Sequence, residues 1–508
     1  MREAAHGFCS SGGNGAECLV LYPALRSSYA LYPAGETMLR IIGPASRACD
    51  GVNRRDLMRI GALSLFPGVT WPRLLQAASS SQSSRPGSAK SVVLLNLFGG
   101  PSHLDMFDMK PAAPDDIRGE FKPISTSLPG LQICEHLPKL ASWMHRATLI
   151  RTVTHNYNSH HPYVVLSGDG EATNDKPARP LPTNHPSMGS VCHYLLDVPG
   201  DVPPYVFLPD VPGYTQTPRP GGYAGYLGKR FDPLFTTCDP SFERAGGFYD
   251  PVLPMGVPTS PTLQLPRDLT IAGIEQRRTL LEQLNEHLLP LSSSPMVDAM
   301  DGFQQQAFSL LTSGKTRTAF DLSEEPGEVH ERYGRNLYGQ CMLMARRLVE
   351  AGTTFVTVNW EVAVEKLGGH WDMHQNNFGM LKFNLPLLDQ ICTALIEDLA
   401  ERDLLESTMV IVTGEMGRSP RVNREAGRDH WPQCGFCLLI GAGISQGMVY
   451  GTSDKQGGYP IDRPVSPGDL VATIYQLLGI DPETTVPDLQ GRPIHISHGG
   501  KPITEVIV

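Results

Sequence analysis

Acidic and histidine side chains follow apolar segments of this 508-residue chain, in short loops that also contain glycine. Asp372 and His374 lie in a Gly-His-Trp-Asp-Met-His segment, Glu415 comes after an apolar run, and Asp429 and His430 lie in a Gly-Arg-Asp-His-Trp segment. Carboxylates and imidazoles that converge on one point are ligands of divalent metal ions. The pattern therefore predicts a metal site and, from it, a metal-dependent hydrolase.

The loop after the first apolar run offers one more carboxylate to this cluster. Asp105 follows the run Val92–Phe98, and we predict that it is a ligand. Asp108 is a weaker candidate, because it could equally form a turn before Lys110 and Pro111. His370 is a further candidate beside the Asp372 loop. Mixed oxygen and nitrogen ligands permit zinc, manganese, calcium or magnesium, so the sequence predicts a divalent cation without selecting one.

Several of these residues have an alternative role. Asp372 and His374 are either ligands or surface polar residues, and Asp429 either binds the metal or orients a ligating imidazole. Glu415 either binds the metal or forms an ion pair with Arg418. The guanidinium of Arg418 presents a planar fork of donors, so it is also a candidate clamp for a phosphate or sulfate oxyanion during catalysis.

A polar loop with three histidines, residues 155–161, contains the candidate nucleophile Ser159. The segment Pro162–Gly168 that follows is typical of a helix start. A hydroxyl near a helix N-terminus is suited to attack a bound anion, because the free N–H groups stabilise negative charge. Attack by water activated by the metal is the competing mechanism, and the histidines have the alternative role of satisfying hydrogen bonds within the loop.

The elements that position these loops alternate between strands and helices. This alternation predicts an α/β fold with a central, mostly parallel sheet and helices on both faces. Ligands of such sheets bind beyond the carboxyl ends of the strands. The predicted strands are Val92–Phe98, Ala147–Val153, Tyr205–Leu208, Thr353–Trp360, Thr408–Thr413 and Phe436–Ile440, and the predicted helices are 269–289, 296–313, 334–351, 381–405 and 466–478.

The composition argues against two classes of partner. A net charge of -10 and a pI near 5.9 give no basis for nucleic-acid binding. The sequence has no run of about 20 uninterrupted apolar residues, so we predict no transmembrane segment. Cys434 and Cys437 have a C-x-x-C spacing without a second pair nearby, which we interpret as packing within a strand.

The N-terminal region has the order of a twin-arginine export signal. Arg54 and Arg55 are followed by the apolar stretch Ile60–Val69 and then by small residues. We predict that residues 1–90 form a signal region and linker, that translation starts at Met38, and that the export machinery delivers the folded protein to the periplasm or beyond. The predicted domain is 91–508, with a Gly/Pro-rich insertion around 209–266.

Several motifs, in the same order, resemble those of an exported bacterial family catalogued as domain of unknown function 1501 and grouped with the alkaline phosphatase and sulfatase superfamily. They are the leader, Phe98–Pro111, Trp371–His374, Glu415–Pro420 and Gly427–Trp431. The resemblance runs from Arg54 to the C-terminus. It implies an alkaline phosphatase-like fold, a divalent metal, and a Ser, Thr or formylglycine nucleophile that cleaves phosphate or sulfate esters.

Two departures from the superfamily pattern bear on activity. Glu415 replaces the Asp of an Asp-His pair found in these enzymes, but Met416 stands where the His would be, which puts a two-metal site in doubt. The segment Asn158–Gly168 resembles the sulfatase nucleophile region, yet the chain has no Cys-x-Pro-x-Arg run for formylglycine conversion.

These observations predict an exported, sulfatase-like hydrolase of sulfate or phosphate esters, acting on small molecules or on polysaccharide. The alternative is a catalytically silent relative that binds a ligand or a partner in the cell envelope. The missing formylglycine motif and Met416 favour that alternative, whereas the number of ionisable groups in the predicted site favours the hydrolase.

Overall fold

In the computed structural model, the described part of the chain begins at residue 88. The predicted leader therefore lies outside the described residues, as do His370 and most of the predicted helix 296–313. The insertion around 209–266 is described only in part. The described residues are 88–170, 179–198, 200–213, 218–238, 240–241, 249–260, 270–288, 311–361 and 371–508.

One eight-stranded sheet organises the described residues. Its strand order is β8-β2-β7-β6-β1-β5-β3-β4, and β7 runs antiparallel to both of its neighbours while the other pairings are parallel. The strands are β1 Ser91–Asn96, β2 Ala147–Val153, β3 Tyr205–Leu208, β4 Leu234–Phe235, β5 Phe355–Asn359, β6 Thr408–Thr413, β7 Gly435–Gly441 and β8 Met448–Tyr450. The predicted mostly parallel α/β sheet is confirmed.

The helices cover both faces of this sheet. Along β1, Val93 and Leu95 pack into one apolar core, whereas Val92 and Leu94 pack into a second core on the other face, because successive strand side chains point to opposite sides. The helices are α1 His103–Met106, α2 Asp115–Arg118, α3 Pro138–Trp143, α4 Tyr163–Ser167, α5 Met188–Leu195, α6 Ile271–Leu288, α7 Gly314–Phe320, α8 Gly327–Tyr333, α9 Leu337–Ala351, α10 Asn377–Glu401 and α11 Pro467–Leu477.

Three central strands end at the same level, which defines the edge where the site forms. Asn96, the last residue of β1, is in register with Asn359 of β5 and with Thr413 of β6. All six residues of β1 are buried, as expected of a parallel strand covered on both faces. The chain segments that leave these strands therefore emerge side by side.

Capping residues explain where two predicted helices begin and end. Helix α9 starts later than predicted, because the Asn336 side chain accepts a hydrogen bond from Gly339 N and fixes the N-terminus there; the helix ends at the expected Gly352, whose φ is 102°. Ser466 and Asp469 form a reciprocal capping box at the start of α11. Among the described residues, no helix combines the length and apolar character needed to cross a membrane.

Candidate metal centre

Four side chains meet at the carboxyl edge of the sheet: His160, Asp372, His374 and His430. Nε2 of His374 lies 3.0 Å from Nε2 of His430 and 3.0 Å from Oδ1 of Asp372. The same Oδ1 lies 3.2 Å from Nε2 of His430, and Oδ2 lies 3.2 Å from Nε2 of His160. Three imidazoles and one carboxylate therefore present their ligand atoms to a common point.

The loop that carries Asp372 and His374 approaches the β1 end closely enough to require glycine there. Gly99 has a φ of 116°, and a Cβ on it would lie 2.4 Å from the backbone nitrogen of Asp372. A Cβ on Gly427 would lie 1.8 Å from the carbonyl oxygen of His374. The glycines of the two sequence motifs thus let three backbone segments pack against one another at the site.

A short antiparallel pair positions His430. His430 is in register with Arg418, in a two-residue pairing of Gly417–Arg418 with His430–Trp431. The adjacent Asp429 carboxylate lies 3.1 Å from Nδ1 of His374 through its Oδ1. Asp429 therefore occupies the orienting position that was one of its two predicted roles, since a carboxylate on Nδ1 fixes the tautomer that leaves Nε2 as a ligand.

Glu415 contacts His160 from the interior of the protein. Its side chain is fully buried, and Oε1 lies 2.9 Å from Nδ1 of His160 while also accepting a hydrogen bond of 2.7 Å from Gly99 N. Within the described part of the chain, Oε2 of Glu415 has no hydrogen-bond partner. In this arrangement Glu415 orients His160, and its second oxygen remains available for a cation.

The electrostatics of the cluster follow from these contacts. Burial opposes the charged form of Asp372, but its hydrogen bonds with the three histidines hold its pKa far below the usual range. Burial likewise opposes protonation of His160, yet contacts with Asp372 and Glu415 raise its pKa to about 9. The bond to Asp372 raises the pKa of His374, whereas burial lowers that of His430. The negative charges of Asp372 and Glu415 therefore favour a positive charge at His160 and His374.

Arg418 contacts the cluster from a fully buried position. Its Nε donates to Gly100 O at 2.7 Å, Nη1 to Arg428 O at 3.1 Å, and Nη2 to Trp371 O at 3.2 Å and to Oδ1 of Asp372 at 2.6 Å. These bonds hold the Asp372 loop in place. The structure thus brings Arg418 to the site as a positioning residue, in the ion pair it makes with Asp372 rather than with Glu415.

Asp105 lies in a separate buried network. Its Oδ2 accepts bonds from Ser102 Oγ at 2.6 Å and Asn377 Nδ2 at 2.9 Å, and both carboxylate oxygens pair with Arg428, at 2.7 and 2.8 Å. The acid is 1% exposed. The structure does not bring this predicted ligand into the four-residue cluster.

Ser159 directly precedes His160, but not at a helix start. Helix α4 begins at Tyr163 and is five residues long, so the hydroxyl lies before the helix rather than at its first turn. The side chain of Ser159 instead hydrogen-bonds that of Tyr157, whose pKa burial raises to about 12. Ser159 is therefore held by a neighbouring phenol, next in sequence to a candidate ligand.

Sequence reasoning left three neighbours of the site without a role. His160 belonged to the histidine-rich loop but was not selected, although that loop follows a strand. Glu361 follows β5 as Glu415 follows β6, a signal that was available. Arg219 carries no such signal, because it lies in the Gly/Pro-rich insertion; it pairs with Oε1 of Glu361 at 3.0 Å and donates to His160 O at 3.3 Å.

Comparison with known proteins identifies a family. Residues 89–507 match the family described as "Protein of unknown function (DUF1501)", which confirms the resemblance seen in the motifs. A search of curated proteins found no match to this chain.

Solved structures that are similar to this chain include a sulfatase, a phosphonate monoester hydrolase and an alkaline phosphatase. The PsFucS1 sulfatase from Pseudoalteromonas sp. is 12% identical, with a TM-score of 0.33 over 86% of this chain and 73% of its own. The phosphonate monoester hydrolase SpPMH from Silicibacter pomeroyi is 11% identical, with a TM-score of 0.34 over 81% and 75%. TAB5 alkaline phosphatase is 11% identical, with a TM-score of 0.34 over 78% and 100%. At such scores the activities of these proteins are not transferred to this chain.

Proposed function

Because this chain belongs to the DUF1501 family, whose description assigns no activity, we propose a function from its own residues: a metal-dependent hydrolase of phosphate or sulfate esters. One observation carries the proposal, namely the convergence of His160, Asp372, His374 and His430: the Asp372 carboxylate lies 3.0 to 3.2 Å from each imidazole, and one ligand atom from each residue lies within 4.8 Å of the others.

These spacings are those of hydrogen bonds, and they also match the separation of ligand atoms around a metal ion. Ligands at about 2.0–2.1 Å from a tetrahedral zinc lie about 3.3 Å apart. Asp429 occupies Nδ1 of His374, so Nε2 of a neutral His374 carries a lone pair directed at the Nε2 of His430. Oε2 of buried Glu415, which has no hydrogen-bond partner among the described residues, is a further oxygen that could face a cation. Three imidazoles favour zinc or another transition ion over calcium and magnesium.

The exposure of the cluster supports a catalytic rather than a purely structural ion. Between 19% and 33% of each of the four side chains is exposed, whereas an ion enclosed by protein would have no contact with substrate. When bound, a divalent cation supplies Lewis acidity, which polarises an ester oxygen and lowers the pKa of water. Asp372 holds it by charge, and Asp429 and Glu415 orient two of its imidazoles.

The neighbourhood of His160 favours an anionic substrate. Arg219 donates to the backbone oxygen of His160 and stacks 5.0 Å from the Phe98 ring, which places a guanidinium beside the cluster. Its charge and burial together lower the pKa of His161 to about 4, burial being the larger cause. A sulfate or phosphate ester would thus meet a cation beside a guanidinium whose charge is shared with Glu361. Ser159, held by Tyr157, is the proposed nucleophile, with water as the alternative.

One observation favours the second candidate, a catalytically silent protein that binds a ligand or an envelope partner. The Met416 side chain is buried, 4% exposed, and a Cβ on Gly100 would lie 2.8 Å from its Cγ. The position that holds a histidine ligand in the superfamily therefore serves apolar packing here. Together with the engaged donors of Arg418, this removes two groups that a hydrolase would use on substrate.

The first experiment is elemental analysis of the full chain purified without chelator. We expect bound transition metal, and its loss from this site in the double variant His374→Gln/His430→Gln. His145→Gln is the matched control, because His145 is exposed and its ring hydrogen-bonds with Ser127 Oγ and Ser142 O, away from the cluster. A folded double variant that keeps the full metal content would contradict the proposed ligands.

Activity is then measured on aryl phosphates, aryl sulfates and sulfated polysaccharide. We expect turnover with at least one class, abolished in the double variant, and reduced about 1,000-fold or more in Ser159→Ala if serine is the nucleophile. An unchanged rate in Ser159→Ala assigns the attack to water. Metal binding without turnover on any ester would replace the hydrolase by the silent alternative.

We further propose that residues 1–90 export the domain 91–508 by the twin-arginine route to the periplasm or beyond. The proposal rests on Arg54 and Arg55 and the apolar stretch that follows them. The charge-preserving variant Arg54→Lys/Arg55→Lys should accumulate in the cytoplasm, measured by cell fractionation and N-terminal sequencing. Normal export of that variant would contradict the proposed route.

A further inference from the structure

A second cluster of ligand-type side chains lies at the other end of helix α4. Asp169 follows the helix by two residues, His185 precedes α5, and His498 belongs to the C-terminal segment. One ligand atom from each lies within 4.8 Å of the others, and Oδ2 of Asp169 is 3.9 Å from Nε2 of His185. Nothing in the proposed hydrolysis uses these residues.

Each imidazole has a hydrogen-bond partner on one ring nitrogen. Nε2 of His498 lies 2.9 Å from the carbonyl oxygen of Ser167, and Nδ1 of His185 lies 3.3 Å from the hydroxyl of Tyr226. Metal-binding histidines regularly hold the N–H of their second nitrogen in this way, which fixes the ring and its tautomer. The two rings meet edge to face, with centroids 4.4 Å apart.

The backbone around the cluster is constrained. His498 has a φ of 54°, in the left-handed region that only a few per cent of non-glycine residues adopt, histidine being among the more frequent of them. The backbone nitrogen of His185 donates to the hydroxyl of Tyr163 at 2.6 Å. Asp169 is 5% exposed. A buried carboxylate is costly unless hydrogen bonds or a cation compensate its charge.

We propose that Asp169, His185 and His498 bind a second divalent transition-metal ion, with zinc as the preferred ion. Two imidazoles and one carboxylate are a common zinc ligand set, which leaves one position for water. The ion connects three segments that are distant in sequence: the end of α4, the start of α5 and the C-terminal segment. Its primary effect is therefore stabilisation of the C-terminal segment against the sheet-covering helices.

The distances allow this ion with small side-chain movements. Ligands of a tetrahedral zinc lie about 3.3 Å apart. The 3.9 Å between Asp169 and His185 must therefore close by less than an ångström, and the other pairs, which lie within 4.8 Å, by at most about 1.5 Å. The site is separate from the first one, because His160 precedes α4 and Asp169 follows it.

The test uses the full chain with the first site disabled. His374→Gln/His430→Gln protein is stripped with a chelator and titrated with Co²⁺, whose visible absorption reports coordination by protein ligands. We expect one equivalent to bind, and added His185→Gln or His498→Gln to abolish the band. His495→Gln is the matched control: it is three residues from His498, is exposed, and should leave the band intact.

A second readout applies to the protein with both sites intact. By elemental analysis, His498→Gln protein should contain one equivalent of zinc less than the unmodified protein. In the His374→Gln/His430→Gln protein, added zinc should raise the melting temperature by about 2 °C or more, and a further His498→Gln change should abolish that rise. Absence of the cobalt band from the folded background variant would overturn the proposal. If that variant fails to fold, an unchanged zinc content in His498→Gln overturns it.

Discussion

Replacement of Asp105 by asparagine tests whether this carboxylate stabilises the fold or binds the metal. Asp105 is 1% exposed and pairs through both oxygens with Arg428, which is fully buried. Asparagine keeps the shape of the side chain but removes the negative charge. It also turns an amide nitrogen towards a guanidinium that can only donate. Arg428 is then a buried cation without a counter-ion.

We expect this variant to lose about 3–5 kcal/mol of unfolding free energy, the usual cost of removing one partner of a buried ion pair. The value should lie near the lower end, because Arg428 also donates to the carbonyl oxygen of Ile117 at 2.8 Å and of Ser419 at 3.2 Å. These carbonyl oxygens continue to solvate the guanidinium. The metal content of the first site should stay unchanged, since Asp105 lies outside it.

Denaturant unfolding followed by fluorescence gives the free energy, and elemental analysis gives the metal content of the same preparation. Asp115→Asn is the matched control, because Asp115 pairs with Arg118 from a side chain that is 88% exposed. An exposed pair of this kind contributes about 0–1 kcal/mol. The control should therefore unfold like the unmodified protein.

Two results would refute the reasoning. Loss of metal in folded Asp105→Asn protein, without a loss of stability, would make Asp105 a ligand as the sequence first suggested. A stability loss no larger than that of Asp115→Asn would show that the buried pair with Arg428 contributes little to folding.

Three further changes test other parts of the site. Gly99→Ala should weaken metal binding about 10-fold or more, because its Cβ would lie 2.4 Å from the backbone nitrogen of Asp372 and displace that residue. Gly228→Ala is the control, since Gly228 also has a positive φ but its Cβ would have no neighbour within 4 Å; isothermal titration calorimetry gives both metal affinities. Asp429→Asn should weaken binding about 10- to 100-fold without unfolding the chain; equal affinity would remove its orienting role. Burial lowers the pKa of His155 to about 4, below its unfolded value of about 6.5. The folding stability linked to this shift, at most about 3 kcal/mol, is therefore complete above about pH 6.5 and is lost as the pH falls to about 4. His155→Gln should flatten the pH dependence of the unfolding midpoint across this range.

Much of the fold could be predicted because buried parallel strands have nearly continuous apolar sequences. The runs at Ala147–Val153 and Thr408–Thr413 coincide with strands at both ends. The direction of Gly435–Gly441 could not be predicted, because an apolar run has the same pattern whether its neighbours are parallel or antiparallel. Pairing with β2 and β6 decides it.

The residue types of the candidate site were predicted better than the exact set of residues that form it. Asp372, His374 and His430 meet because their loops reach one edge of the sheet. Asp105 follows a strand just as they do, but a buried arginine that comes from a distant motif neutralises it. Sequence reasoning cannot tell a carboxylate that faces a cation from one that faces Arg428, since only the fold selects the neighbour.

The proposed ligands of the first site come from chain positions as far apart as His160 and His430, on loops that become neighbours only when β1, β5 and β6 are paired in register. No contiguous fragment shorter than this span contains the whole ligand set. An ion held by all four proposed ligands would therefore reach its full coordination only once the central sheet has closed. Metal occupancy would thus serve as a record of completed folding, acquired after synthesis of nearly the whole chain.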